Sequence, residues 1–226
     1  MLSVKNNKKC GINLTSNESF SNSNRVNIYQ SIIVLISDNN KYILIVNKMD
    51  SFYSETELST LGLKSYGTNV LISRKVSFYS PEKVALGNNV RIDDFCILSG
   101  EITLGDNIHI SAYSALYGAM GIEFKDNSGC SARTTIYSSM DDFSGDYLIG
   151  PMQPKTKTNV TGGKVTISEY VQLGAHCLVF PNLTIGIGSV IGALSLVTKD
   201  VQEWGIYVGI PAKFLKPRSK KLMNLL

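Results

Sequence analysis

Two histidines, His109 and His176, and four isolated cysteines, Cys10, Cys96, Cys130 and Cys177, are all that the 226 residues hold of either type. No Cys-x-x-Cys pair exists, and the density is far below that of a secreted disulfide scaffold, so a reducing, cytoplasmic setting is expected. Long apolar runs are also missing: 32–36 and 42–46 are split by the polar stretch 37–41, well short of the roughly 18 residues that a membrane helix needs. No membrane span is expected. Lys plus Arg number 22 against 18 Asp plus Glu, with no basic block of the kind that grips nucleic acid. Basic side chains crowd only near the end, at Lys213, Lys216, Arg218, Lys220 and Lys221, which leaves small anionic ligands as partners. What remains, 43% hydrophobic and 18% charged, is one ordinary globular domain with an appendage.

Residues 1–48 are rich in Asn, Ser and Lys, poor in Gly, and read as an N-terminal extension or a misread start. Within them 31–36 and 41–46 flank Asp38-Asn39-Asn40, a hairpin signature. Ser54 followed three residues later by Glu57 is a capping box, and it predicts a one- or two-turn helix at the start of a domain running over 49–226.

From Ile72 a period of six takes over. Leu86, Ile92, Leu98, Leu104, Ile110 and Leu116 are spaced by six, and so are Ile167, Leu173, Val179, Ile185, Ile191 and Val197. Smaller residues, among them Val90, Cys96, Ser114, Cys177 and Ser195, sit four places after the anchors. Phe124, Cys130 and Ile136 join the arrays after a two-residue slip around 117–123. A helix cannot bury such a pattern, because six residues at about 100° each end about 240° away from the start. Short strands that turn after every hexad can. Three hexads per coil, stacked at about the 4.8 Å strand spacing, predict an all-β fold, the left-handed parallel β-helix, with the anchors filling a narrow prism. Cys96 and Cys177 are then core residues rather than nucleophiles.

The period stops over 138–164, which predicts a long loop ejected from one corner, and the tail 212–226 is expected to end in a short C-terminal helix. With the prism interior filled, chemistry must lie outside. His109, between inward Ile108 and Ile110, should project outward as a proton-transfer candidate, and His176 should also face out. Asp141 and Asp142 in the loop could hold an amine or hydroxyls; Asp93, Asp94 and Glu101 fall at turns, where turn chemistry is the default. The pairs Gly174-Ala175 and Gly192-Ala193 should leave backbone N–H groups open along a coil edge, suited to an extended ligand with amides. Lys213 in Val208-Gly209-Ile210-Pro211-Ala212-Lys213, with the basic tail, could neutralise ligand phosphates.

Leu173-Gly174-Ala175-His176, Phe180-Pro181-Asn182-Leu183-Thr184-Ile185-Gly186, Val197-Thr198-Lys199-Asp200-Val201 and the Pro211-Ala212-Lys213 segment resemble the closing coils of hexapeptide-repeat acyltransferases. The stretches 90–100, 109–118 and Asp141-Asp142-Phe143-Ser144-Gly145 further resemble bacterial N-acetyltransferases of dTDP-linked 3-amino-3,6-dideoxyhexoses, of the 3-amino-fucose type. The resemblance implies a homotrimer that binds acetyl-CoA between subunits and acetylates a nucleotide-linked amino sugar for O-antigen lipopolysaccharide, with no metal. Residues and resemblance together give the expected site roles. His109 and Asp141 would be catalytic; Asp94, Glu101 and Asp142 would bind the sugar; Gly174, Ala175, Gly192, Ala193, Lys199, Pro211, Lys213 and Arg218 would bind the coenzyme. The chain departs from two related groups: Asp141 stands where sugar O-acetyltransferases carry their catalytic His, and Gly100-Glu101 stands where other amino-sugar enzymes carry His-Glu. An O-acetyltransferase and a non-catalytic scaffold are the rival readings; a zinc carbonic anhydrase on the same prism would need three histidines.

Overall fold

The computed structural model describes residues 31–38, 41–48 and 51–225. Contacts divide the chain between residues 49 and 50. In the first unit Ser31–Asp38 pairs antiparallel with Lys41–Lys48, the hairpin expected from the sequence, while Asn39, Asn40 and Cys10 lie outside the described residues. In the second, Ser54 caps the single-turn helix Glu55–Leu58 through both bonds of the predicted capping box.

Beyond that helix the chain winds into a left-handed parallel β-helix of about seven turns. One face stacks Leu71–Ile72, Arg91–Ile92, His109–Ile110, Gly129–Cys130, Gln172–Leu173, Val190–Ile191 and Gly205–Val208. The second stacks Ser77–Tyr79, the first halves of Ile97–Leu104 and Ala115–Phe124, then Thr135–Tyr137, Leu178–Val179 and Leu196–Val197. Val84–Leu86, the second halves of the two long strands, Val165–Ile167 and Leu183–Ile185 make the third. Every six-spaced anchor is buried, and so are the smaller residues four places on. At the phase slip, Ile122 and Phe124 restore the inward pair, and Phe124 is the largest fully buried side chain. Cys96, Cys130 and Cys177 are buried free thiols, and burial pushes Cys130 up to about 12, so they are core as expected.

The corners explain why the chain can turn so often. Before the first face stand Asn69, Asn89, Asn107 and Asn127 with φ of 55, 55, 59 and 60°, a conformation asparagine tolerates. Their side-chain amides also donate up the stack, at 2.9, 3.0 and 3.0 Å, so one residue type serves both turn and ladder. Between the first and second faces the left-handed position is taken by Phe95, Tyr113, Arg133, His176 and Leu194. His176 is therefore exposed, as expected, but on a corner rather than on a sheet face.

Between Tyr137 and Val165 the chain leaves the prism at the corner joining the second and third faces, as the broken period predicts. Its neck is a two-stranded ribbon, Ser139–Met140 with Thr161–Gly162. The tail ends in the expected short helix but first adds a strand. Lys213–Pro217 folds back antiparallel onto Gly205–Val208, and only Lys221–Leu225 is helical, as a 3-10 turn. The last coil would otherwise present an open strand edge, which the tail pairs and covers.

Candidate active site

His109 lies between Arg91 and Gly129 in successive coils of the first face. Its Nε2 is 2.7 Å from Asp93 Oδ2, while the Arg91 Nε donates to Asp93 Oδ1 at 2.7 Å. Burial alone would raise the Asp93 carboxyl, but the hydrogen bonds from His109 and Arg91 outweigh it and hold it below the ordinary value. An ionised Asp93 thus fixes the imidazole ring through Nε2 and leaves Nδ1 for other work. Gly129 leaves His109 uncrowded on the side of the next coil, and a Cβ there would sit 2.7 Å from the His109 carbonyl oxygen. The sequence reading placed Asp93 at a turn and missed this partnership. The signal was present, since 109 and 93 differ by one coil less two residues, an offset that brings outward side chains together.

Along the adjoining corner runs a strip of small residues, Ser111-Ala112, Ser131-Ala132, Gly174-Ala175 and Gly192-Ala193. The expectation about its amides needs correction. Gly174 and Gly192 donate to Ile191 and Tyr207 carbonyls at 2.7 and 2.8 Å, so the glycine N–H groups are used by the next coil. The Ala175 and Ala193 N–H groups are the ones without a partner among the described residues. Glycine is required here by close approach, because a Cβ on Gly174 would lie 2.5 Å from the Ala193 nitrogen. Ser131, which the sequence reading also missed, takes a hydrogen bond from Gln172 Nε2 at 3.3 Å on this strip.

Lys199, Pro211 and Lys213 line one cavity of about 230 Å³ with Asp200 and Tyr207. Arg218 does not join them: its guanidinium donates to the Tyr170 and Gly188 carbonyls at 2.7 and 2.9 Å, pinning the tail to a corner. Three more expected positions separate in the same way. Asp94 is held by Lys75 at 2.8 Å and by the Ser73 hydroxyl, so its charge is already paired on the outside of the corner. Asp142 accepts from the Ser144 N–H at 2.7 Å, from the Ser144 hydroxyl and from Asn159 at 2.9 Å, which makes it an organiser of the ejected loop. Glu101 faces a different corner, in a cavity of about 530 Å³ that it shares with Lys64, Glu82 and Lys83. Asp141, at the loop's root, has no hydrogen-bond or ion-pair partner among the described residues. His109 is on the first face and Asp141 leaves between the second and third, so one chain does not bring them together. Among the described residues no group of three His, Cys, Asp or Glu side chains is placed to hold a metal.

Two aromatic stacks flank these groups. Phe95 and Tyr113 stack at 4.9 Å on the first corner, capped by Lys75 over Phe95 and Arg133 over Tyr113. Tyr117 and Tyr137 stack at 4.9 Å on the second face. Burial raises Tyr117, with Tyr137 and then Tyr79 adding to it.

A dry hexad-built prism whose free polar groups, small-residue strip and ejected loop are all external defines the class: a left-handed β-helix protein that works on its surface. No protein-family profile matches the sequence. A curated relative, the dTDP-4-amino-4,6-dideoxy-D-glucose acyltransferase of Escherichia coli, is 42% identical over 178 residues, covering 77% of this chain and 93% of its own length. AntD, an N-acyltransferase from Bacillus cereus solved with dTDP and 3-hydroxybutyryl-CoA, is 50% identical with a TM-score of 0.77, covering 78% of this chain and 95% of that one. A hexapeptide-repeat acetyltransferase from Vibrio cholerae, 16% identical with a TM-score of 0.51, shares the fold. The chain belongs to the hexapeptide-repeat acyltransferase family.

Proposed function

We propose that the protein is an N-acyltransferase moving an acyl group, acetyl in our reading, from its coenzyme A thioester to the amine of a dTDP-linked amino-dideoxy sugar. The observation that carries this is the 42% identity across nearly the whole of a dTDP-4-amino-4,6-dideoxyglucose acyltransferase. AntD has also been solved with that amino sugar and coenzyme A together. On the same ground we place the acceptor amine on carbon 4, where the sequence resemblance alone implied carbon 3. The 3-hydroxybutyryl-CoA bound to AntD makes a longer acyl group the alternative to acetyl.

The amine nitrogen attacks the thioester carbonyl, the carbon–sulfur bond breaks from a tetrahedral oxyanion, and the departing sulfur takes the proton that the new amide nitrogen loses, so coenzyme A leaves as its thiol. His109, steadied by Asp93, accepts the ammonium proton through Nδ1, and Asp141 orients the amine. The Ser131 hydroxyl donates to the oxyanion. One further observation supports Ser131 and Asp141. AntD has been crystallised with substitutions at a serine and at an aspartate ten residues later, and Ser131 with Asp141 is the one Ser–Asp pair so spaced in this chain. Ala175 and Ala193 would hold the coenzyme's amide-bearing arm, with Lys199 and Lys213 at its phosphates.

Because His109 and Asp141 sit on separate faces of one chain, the site is built between subunits of a homotrimer, the cyclic assembly that closes prism faces against one another. We place the enzyme in the cytoplasm, where nucleotide sugars for O-antigen and other surface polysaccharides are made. Among the described residues no helix is long and apolar enough to cross a membrane.

Thiol release from acetyl-CoA and 3-hydroxybutyryl-CoA, assayed with dTDP-4-amino-4,6-dideoxyglucose and with dTDP-glucose, tests the reading. Release that needs the amino sugar supports it; release of equal rate with the hydroxyl sugar would establish O-acylation instead. Light scattering that returns a monomer at micromolar concentration would remove the shared site.

A further inference from the structure

The outward column of the second face is an aromatic ladder with one rung missing. Strand register places Tyr79, Ser99, Tyr117 and Tyr137 in successive coils. Tyr117 and Tyr137 stack at 4.9 Å with planes within 10°, the spacing of one coil. Ser99 stands between Tyr79 and Tyr117, so the backbones that carry those rings are two coils, roughly 9.6 Å, apart. A flat ring entering at the Ser99 level would lie about 4.8 Å from each, inside stacking range. The corner stack of Phe95 and Tyr113 offers no such place, because its rings already touch and its outer faces carry Lys75 and Arg133.

The gap opens beside the charged cavity. Gly100, next to Ser99, has a φ of +85°, and a Cβ there would sit 2.6 Å from the Gly118 carbonyl oxygen, so the floor is bare backbone. Lys64 and Lys83 bring two cations to this cavity, Glu82 and Glu101 two anions, and none of the four has an ion-pair partner among the described residues. The two cations suit the diphosphate of a nucleotide sugar, whose amine lies farther along the corner. Asp141 leaves the prism from the same corner, roughly two coils or 10 Å beyond Gly100.

We infer that the gap over Ser99 seats the base of the acceptor's nucleotide. The thymine stacks between Tyr79 and Tyr117, Lys64 and Lys83 meet the diphosphate, and the sugar is delivered along the corner toward Asp141. This assignment rests on the dTDP-sugar reading above.

Calorimetric titration of dTDP alone and of coenzyme A alone into the parent and three variants tests it. Ser99→Trp supplies the missing ring, Tyr79→Leu removes one wall on an exposed side chain, and Phe95→Leu alters the closed stack as a control. The expected result is a dTDP Kd raised about ten- to a hundredfold in Ser99→Trp and about tenfold in Tyr79→Leu, with coenzyme A affinity kept and Phe95→Leu unchanged. Tyr79→Leu gives the answer if Ser99→Trp does not fold. Equal dTDP affinity in parent and Tyr79→Leu, or an equal loss in Phe95→Leu, overturns the slot and leaves the dTDP reading standing. A parent that binds coenzyme A and no dTDP overturns that reading, and the slot with it.

Discussion

The inner and outer sides of the same strands obey different rules. Inward positions repeat every six residues, are filled by Ile, Leu, Val, Cys, Ser, Thr134 and two Phe, and are buried through the middle coils, with Val76 and Phe78 of the first coil half-buried. The outward positions beside them share a register but no single residue type: one column reads Leu71, Arg91, His109, Gly129, Gln172 and Val190. The interior is therefore a repeated answer to a single packing problem, while the exterior is a set of separate answers to whatever binds there. If this division is right, a change inside should lower stability and leave catalysis alone, and a change outside should do the reverse.

The hardest strain on that division is His109→Asn. It should lower kcat by about two to four decades and remove the acidic limb of the pH–rate profile, with little effect on melting. If Asp141→Asn removes the limb instead, the two residues exchange roles. Next comes Leu116→Ala, which should cost about 2–5 kcal/mol in denaturant unfolding while the remaining folded enzyme keeps its KM values. A third change sharpens the outer side: Lys213→Glu should raise the acyl-CoA KM about tenfold and leave the sugar KM within about twofold. Equal effects on both substrates would detach Lys213 from the coenzyme.

Smaller effects mark the boundary between the two sides. Asn107→Ala breaks two rungs of the asparagine ladder and leaves a left-handed corner to alanine, so it should lower stability by about 1–2 kcal/mol without touching kcat. The smallest is a response to acid. Glu57 is lowered to about 2, chiefly by its hydrogen bond from Arg74, and hydrogen bonds also lower Asp93, Asp106 and Asp142. A carboxyl whose folded value lies below its unfolded value of about 4 stabilises the fold above that pH and ceases to as pH falls through the folded value. Thermal melts should hold steady down to about pH 4.5 and decline below it. Melts that rise between pH 4 and pH 3 would contradict these directions.

The difference between the two sides also governs what the sequence discloses. The prism was legible because a buried column repeats its chemistry at fixed spacing, and so was the loop, because the spacing stops there. Cys130 and Ser114 read as core for the same reason. The partnership of His109 with Asp93 depends on which outward side chains lie one coil apart, which a period of inward residues does not report. Asp142, Asp94 and Arg218 looked like ligand residues because they are charged and near the right motifs, but each is spent on a local bond that only the folded corner creates. The open amides went to alanine rather than glycine because glycine is what lets the next coil come close enough to take its N–H.

The central claim is a transfer of acyl from sulfur to a sugar nitrogen on the outside of a sealed prism. Mass spectrometry of the products formed from acetyl-CoA and dTDP-4-amino-4,6-dideoxyglucose tests it most directly. The account expects the sugar to gain one acyl group in an amide that resists mild hydroxylamine, with one free coenzyme A formed per product. An ester that hydroxylamine removes, or coenzyme A released without any acylated sugar, would contradict it.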